Sequence, residues 1–148
     1  MNYLDIELKG INEEGKENDF KLSDFKGENI ILYFYPKDDT PVCTKEANLF
    51  NEYLNKIKQF ARIIGVSSDD IEEHKEFKKK YNLNFILLSD KENMLKKAIE
   101  EHHRPTSILH RATFILDKNG NIIKFWEKVD VDDHIEEIIN FFEKELNI

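Results

Sequence analysis

The chain has 148 residues, enough to bury the core of one domain, and we predict a single domain over residues 1–148. Hydrophobic residues make up 40% and charged residues 35% of the chain, a balance typical of a folded globular protein. The formal net charge of -8 argues against nonspecific binding to nucleic acid or to anionic lipid. No apolar stretch is long enough to span a bilayer and no secretory signal is visible, so we expect a cytoplasmic protein without a membrane partner.

The first half of the chain predicts strands followed by a helix. Residues Tyr3–Leu8 alternate with period two, which predicts a first strand, and turns are predicted up to residue 29. The continuous apolar run Ile30–Tyr35 predicts a central strand that is covered on both faces. From Val42 to about Phe60, apolar residues recur at spacings of three and four, which predicts an amphipathic helix.

The second half alternates strands and helices. Ala61–Ser67 predicts a strand, and Ser68 or Asp69 is the predicted cap of a helix that runs to Tyr81. The order predicts an α/β fold with layers of helices on a sheet and one antiparallel hairpin near the end. The remaining predicted elements are a strand over Phe85–Leu88, a helix from Glu92 to about Glu101, a hairpin of Ala112–Asp117 and Ile122–Trp126, and a final helix from Asp132.

The chain has one cysteine, Cys43, and its position favours reactivity. With one thiol, no intrachain disulfide and no multi-cysteine metal site are possible, so redox chemistry needs an outside partner. Cys43 follows a predicted buried strand and lies in the first turn of a predicted helix. Ligands of open α/β sheets bind at that carboxyl edge, and the positive end of a helix favours the thiolate.

The residues around this cysteine form the pattern Pro-x-x-x-Thr-x-x-Cys, with Pro36, Thr40 and Cys43 in the three fixed positions. This pattern resembles the peroxidatic motif of peroxiredoxins, specifically the bacterioferritin-comigratory-protein (PrxQ) subfamily. Segment Arg111–Asp117 resembles the arginine-bearing strand of that family. Two more segments resemble it, at matching spacing: Leu22–Gly27 and His134–Ile139.

The resemblance implies both a fold and an activity. The implied fold is thioredoxin-like, with a central mixed β-sheet flanked by helices and an N-terminal β extension. The implied activity is that of a thiol-dependent peroxidase in antioxidant defence, which reduces hydrogen peroxide and organic hydroperoxides through a sulfenic acid at Cys43. No cofactor and no metal are implied. An external thiol (thioredoxin, glutaredoxin or a small thiol) would recycle the enzyme, as a monomer or a homodimer.

The resemblance also assigns roles to residues. Cys43 is the implied nucleophile, while the Thr40 hydroxyl and the Cys43 backbone N–H would hold the peroxide oxygens. Arg111 would face the same pocket, Pro36 would shield the thiolate from water, and Glu46 would orient Arg111 by an ion pair. The chemistry suits an arginine, because negative charge builds on the departing oxygen and a planar, permanently charged fork can stabilise it.

Some of these residues also have a purely structural interpretation. Thr40 also fits a helix cap, and Glu46 also fits an ordinary acid in the first helical turn. We expect Trp126 and His134 to serve packing.

Three positions depart from the family pattern. Asn48 stands where relatives often have a second, resolving cysteine, and Val42 replaces the usual glycine before Cys43. The segment His102–His110 replaces a common Tyr-Gly-containing stretch. Asn48 bears on how the enzyme is recycled, and the histidine-rich segment bears on its substrate.

Two other functions remain open from the sequence. Cys43 together with His102, His103 and His110 has side chains that bind transition metals such as zinc. The second alternative is a redox-sensing or chaperone-like protein that keeps the thiol without turnover.

Overall fold

Seven strands form one mixed sheet in this computed structural model, which describes residues 2–105 and 109–145. In chain order the strands are β1 Leu8–Ile11, β2 Glu17–Phe20, β3 Ile30–Phe34, β4 Arg62–Ser67, β5 Ile86–Ser89, β6 Ala112–Leu116 and β7 Ile122–Trp126. Their spatial order is β2-β1-β5-β4-β3-β6-β7, with β3, β4 and β5 parallel and the other neighbours antiparallel. The predicted central mixed sheet with an N-terminal β extension is therefore confirmed.

Helices cover both faces of this sheet. They are α1 Pro41–Glu52, α2 Leu54–Ile57, α3 Ile71–Tyr81, α4 Met94–His103 and α5 Val131–Glu145. One apolar core lies between the sheet and α4 with the N-terminal segment, and the other lies between the sheet and the remaining four helices. Among the described residues, no helix is both long enough and apolar enough to cross a membrane.

Strand β3 is central because both of its faces are apolar. All five of its residues are buried, with Ile30, Leu32 and Phe34 in one core and Ile31 and Tyr33 in the other. Each residue that enters the core contributes roughly 1.5–3 kcal/mol of hydrophobic stabilisation, so this run strongly specifies the middle of the sheet. The loop that follows β3 therefore starts from a strand whose five residues are all buried.

The prediction of a first strand over Tyr3–Leu8 is wrong for all of its residues but Leu8. Residues Tyr3–Asp5 form a 3-10 helix, and the strand begins only at Leu8. The Asn2 side chain caps this helix by accepting a hydrogen bond from the N–H of Leu4. Tyr3 is buried, and its hydroxyl donates to the carbonyl of Gly120 at 2.6 Å, a tertiary contact that overrides the local alternation.

The long helix predicted from Val42 to Phe60 is divided in two. Its first part ends at Glu52, and the backbone of Tyr53 departs from helical geometry with φ -96° and ψ 12°. Asn51, just before the break, donates to the carbonyl of Asn82 at 2.9 Å and accepts from the N–H of Asn84 at 2.8 Å. These contacts tie the end of α1 to the loop after α3.

Helix α3 is capped by Asp70, and the prediction of Ser68 or Asp69 is wrong. Asp70 accepts from the N–H of Glu73 at 2.9 Å, and Glu73 bonds back to the Asp70 N–H at 3.4 Å. This reciprocal capping box satisfies two otherwise unpaired donors. The Asp69 carboxylate is unavailable for capping because it accepts from the Ser67 hydroxyl and from a backbone N–H of the loop after β3.

Two later helices also begin elsewhere than predicted. Helix α4 begins at Met94, after Asn93 with a left-handed φ of 57°, and not at Glu92. Helix α5 begins at Val131, one residue before the predicted Asp132. Residues 106–108 of the histidine-rich segment lie outside the described residues.

Candidate active site

The sheet order brings Arg111 to Cys43. Strand β6 runs antiparallel to β3, and Ala112 pairs with Phe34, the last residue of β3. Arg111, which immediately precedes β6, therefore lies beside the loop that leads from β3 into α1. Cys43 is the third residue of α1, is 1% exposed and carries a free thiol. The Arg111 guanidinium donates through Nη2 to the Cys43 sulfur at 3.2 Å.

Glu46 holds the other arm of the same guanidinium. It lies one helical turn after Cys43 on α1, and its Oε1 accepts from Nη1 of Arg111 at 2.7 Å. The Glu46 side chain is 2% exposed and that of Arg111 is 14% exposed, so this ion pair is shielded from solvent. The planar fork of arginine thus joins the carboxylate to the sulfur in one fixed arrangement.

Burial and the contacts within the pair act in opposite directions on both pKa values. Desolvation raises the pKa of Glu46 to about 7, although the charge and hydrogen bond of Arg111 act in the opposite direction. Burial alone would lower the pKa of Arg111, but its contacts with Cys43 and Glu46 raise that pKa overall. The second oxygen of Glu46, Oε2, has no hydrogen-bond partner among the described residues. The carboxyl group is therefore easily protonated near neutral pH.

Thr40 occupies the N-cap position of α1, with Pro41 next to it at the helix start. Its backbone carbonyl accepts the first helical bond, from the N–H of Thr44 at 2.8 Å. The hydroxyl makes no capping bond and donates to the carbonyl of Lys37 at 2.9 Å. The Thr40 oxygen therefore keeps its lone pairs available as acceptors, three residues before Cys43.

Pro36 lines a cavity that is separate from the Cys43 thiol. It lines a cavity of about 200 Å³ at the carboxyl ends of β3 and β4, together with Tyr35 and His110. Cys43 is not among the residues that line this cavity. The shielding of Cys43 by Pro36 therefore stays a prediction.

A buried polar cluster, which sequence reasoning missed, lies behind the loop between β3 and α1. It consists of Asp38 from this loop, Asp69 after β4, and His74 on α3, and all three are buried. Two signals pointed to it: the acidic pair Asp38-Asp39 within the motif, and His74 three residues before the core residue Phe77. The amphipathic pattern of α3 places His74 on the buried face.

The histidines proposed as metal ligands do not gather around Cys43. His102 packs edge-on against the Tyr3 ring at 4.9 Å, while the His103 ring lies 3.7 Å from that of Phe125. Within residues 2–105 and 109–145, the cluster of Asp38, Asp69 and His74 is the only group of three or more metal-binding side chains whose ligand atoms lie together. It contains none of the predicted ligands.

The packing interpretation of Trp126 and His134 agrees with the structure. His134 is 1% exposed, its Nε2 is hydrogen-bonded to the Thr113 hydroxyl at 2.7 Å, and its ring meets that of Trp126 edge-on at 5.1 Å. Burial lowers the pKa of His134 to about 4, so this ring is neutral at physiological pH.

Known proteins resemble the chain along nearly its whole length. Residues 3–125 match the AhpC/TSA family. Peroxiredoxin Bcp of Bacillus subtilis is 44% identical over 142 residues, which cover 91% of this chain and 88% of the relative. A cysteine-to-serine mutant of peroxiredoxin Q from Xanthomonas campestris superposes with a TM-score of 0.83 and 29% identity, over 97% of this chain and 93% of that chain.

A second solved structure concerns activity directly. Bacterioferritin comigratory protein of Xanthomonas campestris, solved as a trapped intermediate or ligand complex to explain its alkyl peroxide reduction, superposes with a TM-score of 0.80. It is 30% identical, over 93% of this chain and 89% of that chain. The fold is thus that of thioredoxin-like peroxiredoxins, and the class is that of thiol-dependent peroxidases, which are oxidoreductases. The chain belongs to the AhpC/TSA family, and within it to the Bcp/PrxQ peroxiredoxins.

Proposed function

We propose that Cys43 is the nucleophile of this peroxidase and that Arg111 and Thr40 complete its substrate site. The observation that carries this proposal is the 3.2 Å contact between Arg111 Nη2 and the Cys43 sulfur, in a chain that has no other thiol. A guanidinium at this distance stabilises the thiolate, which is the reactive form of cysteine.

The proposed site offers hydrogen-bond donors and an acceptor to the two peroxide oxygens. The first N–H groups of a helix lack intrahelical partners, so the backbone N–H at Cys43 is available to the substrate. The Thr40 oxygen would accept the O–H of the peroxide, because the Thr40 hydroxyl proton is directed at Lys37. Arg111 would then donate to the oxygen that departs, and Glu46 would fix the orientation of Arg111. Pro36 would limit the access of water.

The first half-reaction is a nucleophilic displacement at oxygen. The Cys43 sulfur attacks the terminal oxygen of the hydroperoxide, an S–O bond forms, and the O–O bond breaks. The departing alkoxide or hydroxide takes up a proton and leaves as alcohol or water, while Cys43 becomes a sulfenic acid. Negative charge builds on the departing oxygen during this step, and fixed donors aimed at such an oxygen commonly contribute 10²–10³-fold in rate, or roughly 3–4 kcal/mol.

Hydrogen peroxide and organic hydroperoxides are the proposed substrates. The likeness to the Xanthomonas campestris protein studied for alkyl peroxide reduction supports the organic class. Val42, directly before Cys43, is 51% exposed and offers apolar surface to an alkyl chain near the thiol. A binding site for the alkyl tail beside Val42 would explain why this position carries a branched side chain.

An external thiol completes the proposed cycle. It attacks the sulfenic acid, a mixed disulfide forms with release of water, and a second thiol returns Cys43 to the reduced state. Asn48, at the position of a resolving cysteine in many relatives, is exposed on α1 and cannot form a disulfide. Thioredoxin, glutaredoxin or a small thiol would act as reductant in the reducing cytoplasm, and the enzyme would work as a monomer or a homodimer.

Replacement of the single thiol tests the proposal. Cys43→Ser should abolish peroxide consumption with dithiothreitol as reductant, while circular dichroism shows an intact fold because the two side chains are similar in size. The wild-type protein treated with one equivalent of peroxide should gain the mass of one oxygen at Cys43. Full activity of the serine variant would disprove the assignment, and oxidation of the wild type without turnover would favour a redox sensor.

A further inference from the structure

Helix α3 holds the loop that leads to Cys43 through a buried network centred on Asp38. One carboxylate oxygen of Asp38 accepts from the Tyr35 hydroxyl at 2.5 Å, and the other lies 2.5 Å from Nδ1 of His74. The backbone N–H of Asp38 donates to the Asp69 carboxylate at 2.7 Å. His74 is 0% exposed, so its ring is an internal anchor of the loop.

The proton count in this network depends on His74. Its Nε2 lies 2.8 Å from the carbonyl oxygen of Leu88, which only accepts, so Nε2 must carry a proton. The contact between Nδ1 and Asp38 needs one more proton, because otherwise two lone pairs would face each other at 2.5 Å. An imidazolium against a carboxylate satisfies all of these atoms at once.

The groups around His74 favour its charged form. Burial opposes the charge, but the hydrogen bond and the charge of Asp38, the Leu88 carbonyl and the charge of Asp69 raise the pKa of His74 above 6.5. Lys37 is an opposing cation beside this network; its ammonium lies 3.7 Å from both Asp69 and Glu73 and is largely exposed to solvent. Attraction of the imidazolium to the Asp38 and Asp69 carboxylates therefore exceeds its repulsion by the Lys37 ammonium.

Two other residues of α3 hold the same loop from its outer side. Asp39 accepts from the Lys80 ammonium at 2.8 Å and from the Tyr81 hydroxyl at 2.5 Å. Its backbone has a left-handed φ of 58°, which costs a non-glycine residue energy and is kept only when surrounding contacts hold it. The tight turn before Thr40 thus depends on contacts with α3.

We propose that His74 is a positioning residue for peroxide reduction: in its protonated form it fixes the loop that carries Thr40 and leads to Cys43, and its deprotonation loosens that loop. The proposal rests on the proposed role of Cys43 as nucleophile. It assigns His74 no contact with peroxide; the ring acts through Asp38 and the backbone of the loop.

The physical reason lies in the atoms that remain after deprotonation. A neutral imidazole has one proton for two acceptors, so either Nδ1 presents a lone pair to the Asp38 carboxylate or Nε2 presents one to the Leu88 carbonyl. In both cases one contact of the ring becomes repulsive and the charge-assisted bond to Asp38 is lost, which weakens the hold of α3 on the loop. The folded-state pKa of His74 is raised, so the stabilisation is complete below about pH 6.5 and is lost as the pH rises through that higher pKa.

The wild-type protein alone provides the first test. Imidazole nitrogen NMR should show His74 with protons on both ring nitrogens at neutral pH. Hydrogen exchange at the backbone N–H of Asp38, corrected for the intrinsic effect of pH, should accelerate as the His74 signals titrate. A neutral ring at neutral pH, or loop exchange that does not follow the His74 titration, would overturn the proposal.

Variants provide the second test, with the rate of Cys43 oxidation measured against pH by rapid quench and intact mass. In the wild type, loosening of the loop should lower the oxidation rate as the pH rises through the pKa of His74. His74→Gln should slow oxidation about tenfold at low pH, within the roughly hundredfold that a 1 Å misplacement costs, and should remove this alkaline fall in rate. Glu46→Gln should keep that fall, because Glu46 titrates separately from His74. A fall that persists in His74→Gln would contradict the proposal.

His134→Gln is the matched control. His134 is equally buried, but it contacts Thr113 and Trp126 and makes no hydrogen bond to the loop among the described residues. This variant should lower the free energy of unfolding without altering the pH profile of oxidation. The NMR and exchange measurements need no peroxidase activity. They therefore test His74 even if Cys43→Ser were to disprove the proposed nucleophile.

Discussion

One guanidinium serves two partners in the site. Nη2 of Arg111 contacts the Cys43 sulfur while Nη1 contacts Glu46, so the orientation of the cation at the thiol depends on a carboxyl group that is buried beside it. A lysine would supply the charge without this two-armed geometry. We therefore expect the reactivity of Cys43 to depend on both the presence and the alignment of Arg111.

Arg111→Met should reduce the second-order rate constant of Cys43 oxidation by about a hundredfold or more, the usual cost of losing one transition-state donor. Methionine fills much of the same space but offers no donor. Stopped-flow or rapid-quench oxidation by hydrogen peroxide measures the rate.

Arg62→Met is a matched control for this variant. Arg62 pairs with Glu13 at 2.6 Å and with Glu28 at 3.2 Å, away from Cys43. Its replacement should change stability and leave the rate of oxidation as in the wild type. Equal rates for Arg111→Met and Arg62→Met would show that Arg111 has no part in the chemistry.

Glu46 should make stability depend on pH. Its pKa is raised to about 7 in the folded protein, so folding is favoured while the carboxyl is protonated and loses this contribution as the pH rises through 7. Relative to the wild type, Glu46→Gln should gain about 2–3 kcal/mol of unfolding free energy between about pH 5 and pH 8, at about 1.4 kcal/mol for each tenfold change in proton affinity.

Urea unfolding of both proteins at each pH measures this difference. The titrations of His74 and of the surface carboxylates occur in both proteins and cancel in the comparison. If the two unfolding free energies differed by the same amount at both pH values, Glu46 would have an ordinary pKa.

At the scale of secondary structure, α1 carries the thiol and α3 holds the loop before it. The α3 contacts with Asp38 and Asp39 come from its first turn and from its last, so the whole helix must be formed for both. The Asp70–Glu73 capping box stabilises the first turn. Weakening this cap should therefore affect the helix and, through it, the loop.

Asp70→Ala should lower the unfolding free energy by about 1 kcal/mol, the typical cost of losing a helix cap. Chemical denaturation measures the loss. Ser68→Ala is the control: Ser68 is exposed and outside the helix, so its replacement should change stability by less than about 0.5 kcal/mol. A larger effect for Ser68 than for Asp70 would contradict the assigned cap.

At the scale of the whole molecule, the presence of a single cysteine determines the cycle that we propose. Residues five apart on an intact helix have Cα atoms about 8–9 Å apart, beyond the roughly 7 Å limit for a disulfide, so relatives with a second cysteine there must unwind the helix to form one. This chain has no such need. We therefore expect α1, which spans Pro41–Glu52, to stay intact throughout the proposed cycle.

Oxidised protein should therefore carry a sulfenic acid, or a mixed disulfide when a small thiol is present. Excess peroxide without thiol should convert it to the sulfinic acid, because no internal thiol intercepts the intermediate. Intact mass distinguishes the three forms, and the turnover rate should rise with the concentration of an added monothiol. Reduced protein that survives equimolar peroxide, or turnover without any reductant, would exclude the one-cysteine cycle.

Local patterns in the sequence determined much of this protein. The apolar run Ile30–Phe34 specifies the central strand, and Pro41, directly after Thr40 at the N-cap position, marks the start of the helix that carries Cys43. These features depend on residues that are close along the chain, so their periodicity and turn residues can be recognised from the sequence alone. The spacing of Pro36, Thr40 and Cys43, together with Arg111 further along, was enough to indicate a peroxiredoxin.

Only the tertiary structure decided which distant residues meet. Period-two alternation predicted a strand at Tyr3. Tyr3 lies in a 3-10 helix instead, and its hydroxyl donates a hydrogen bond to the carbonyl of Gly120, 117 residues away. The pairing of His74 with Asp38 spans 36 residues and arises because α3 packs on β1 and β5, next to the loop that follows β3. Such contacts depend on strand order and on the rotation of each helix about its axis, which local propensity does not specify.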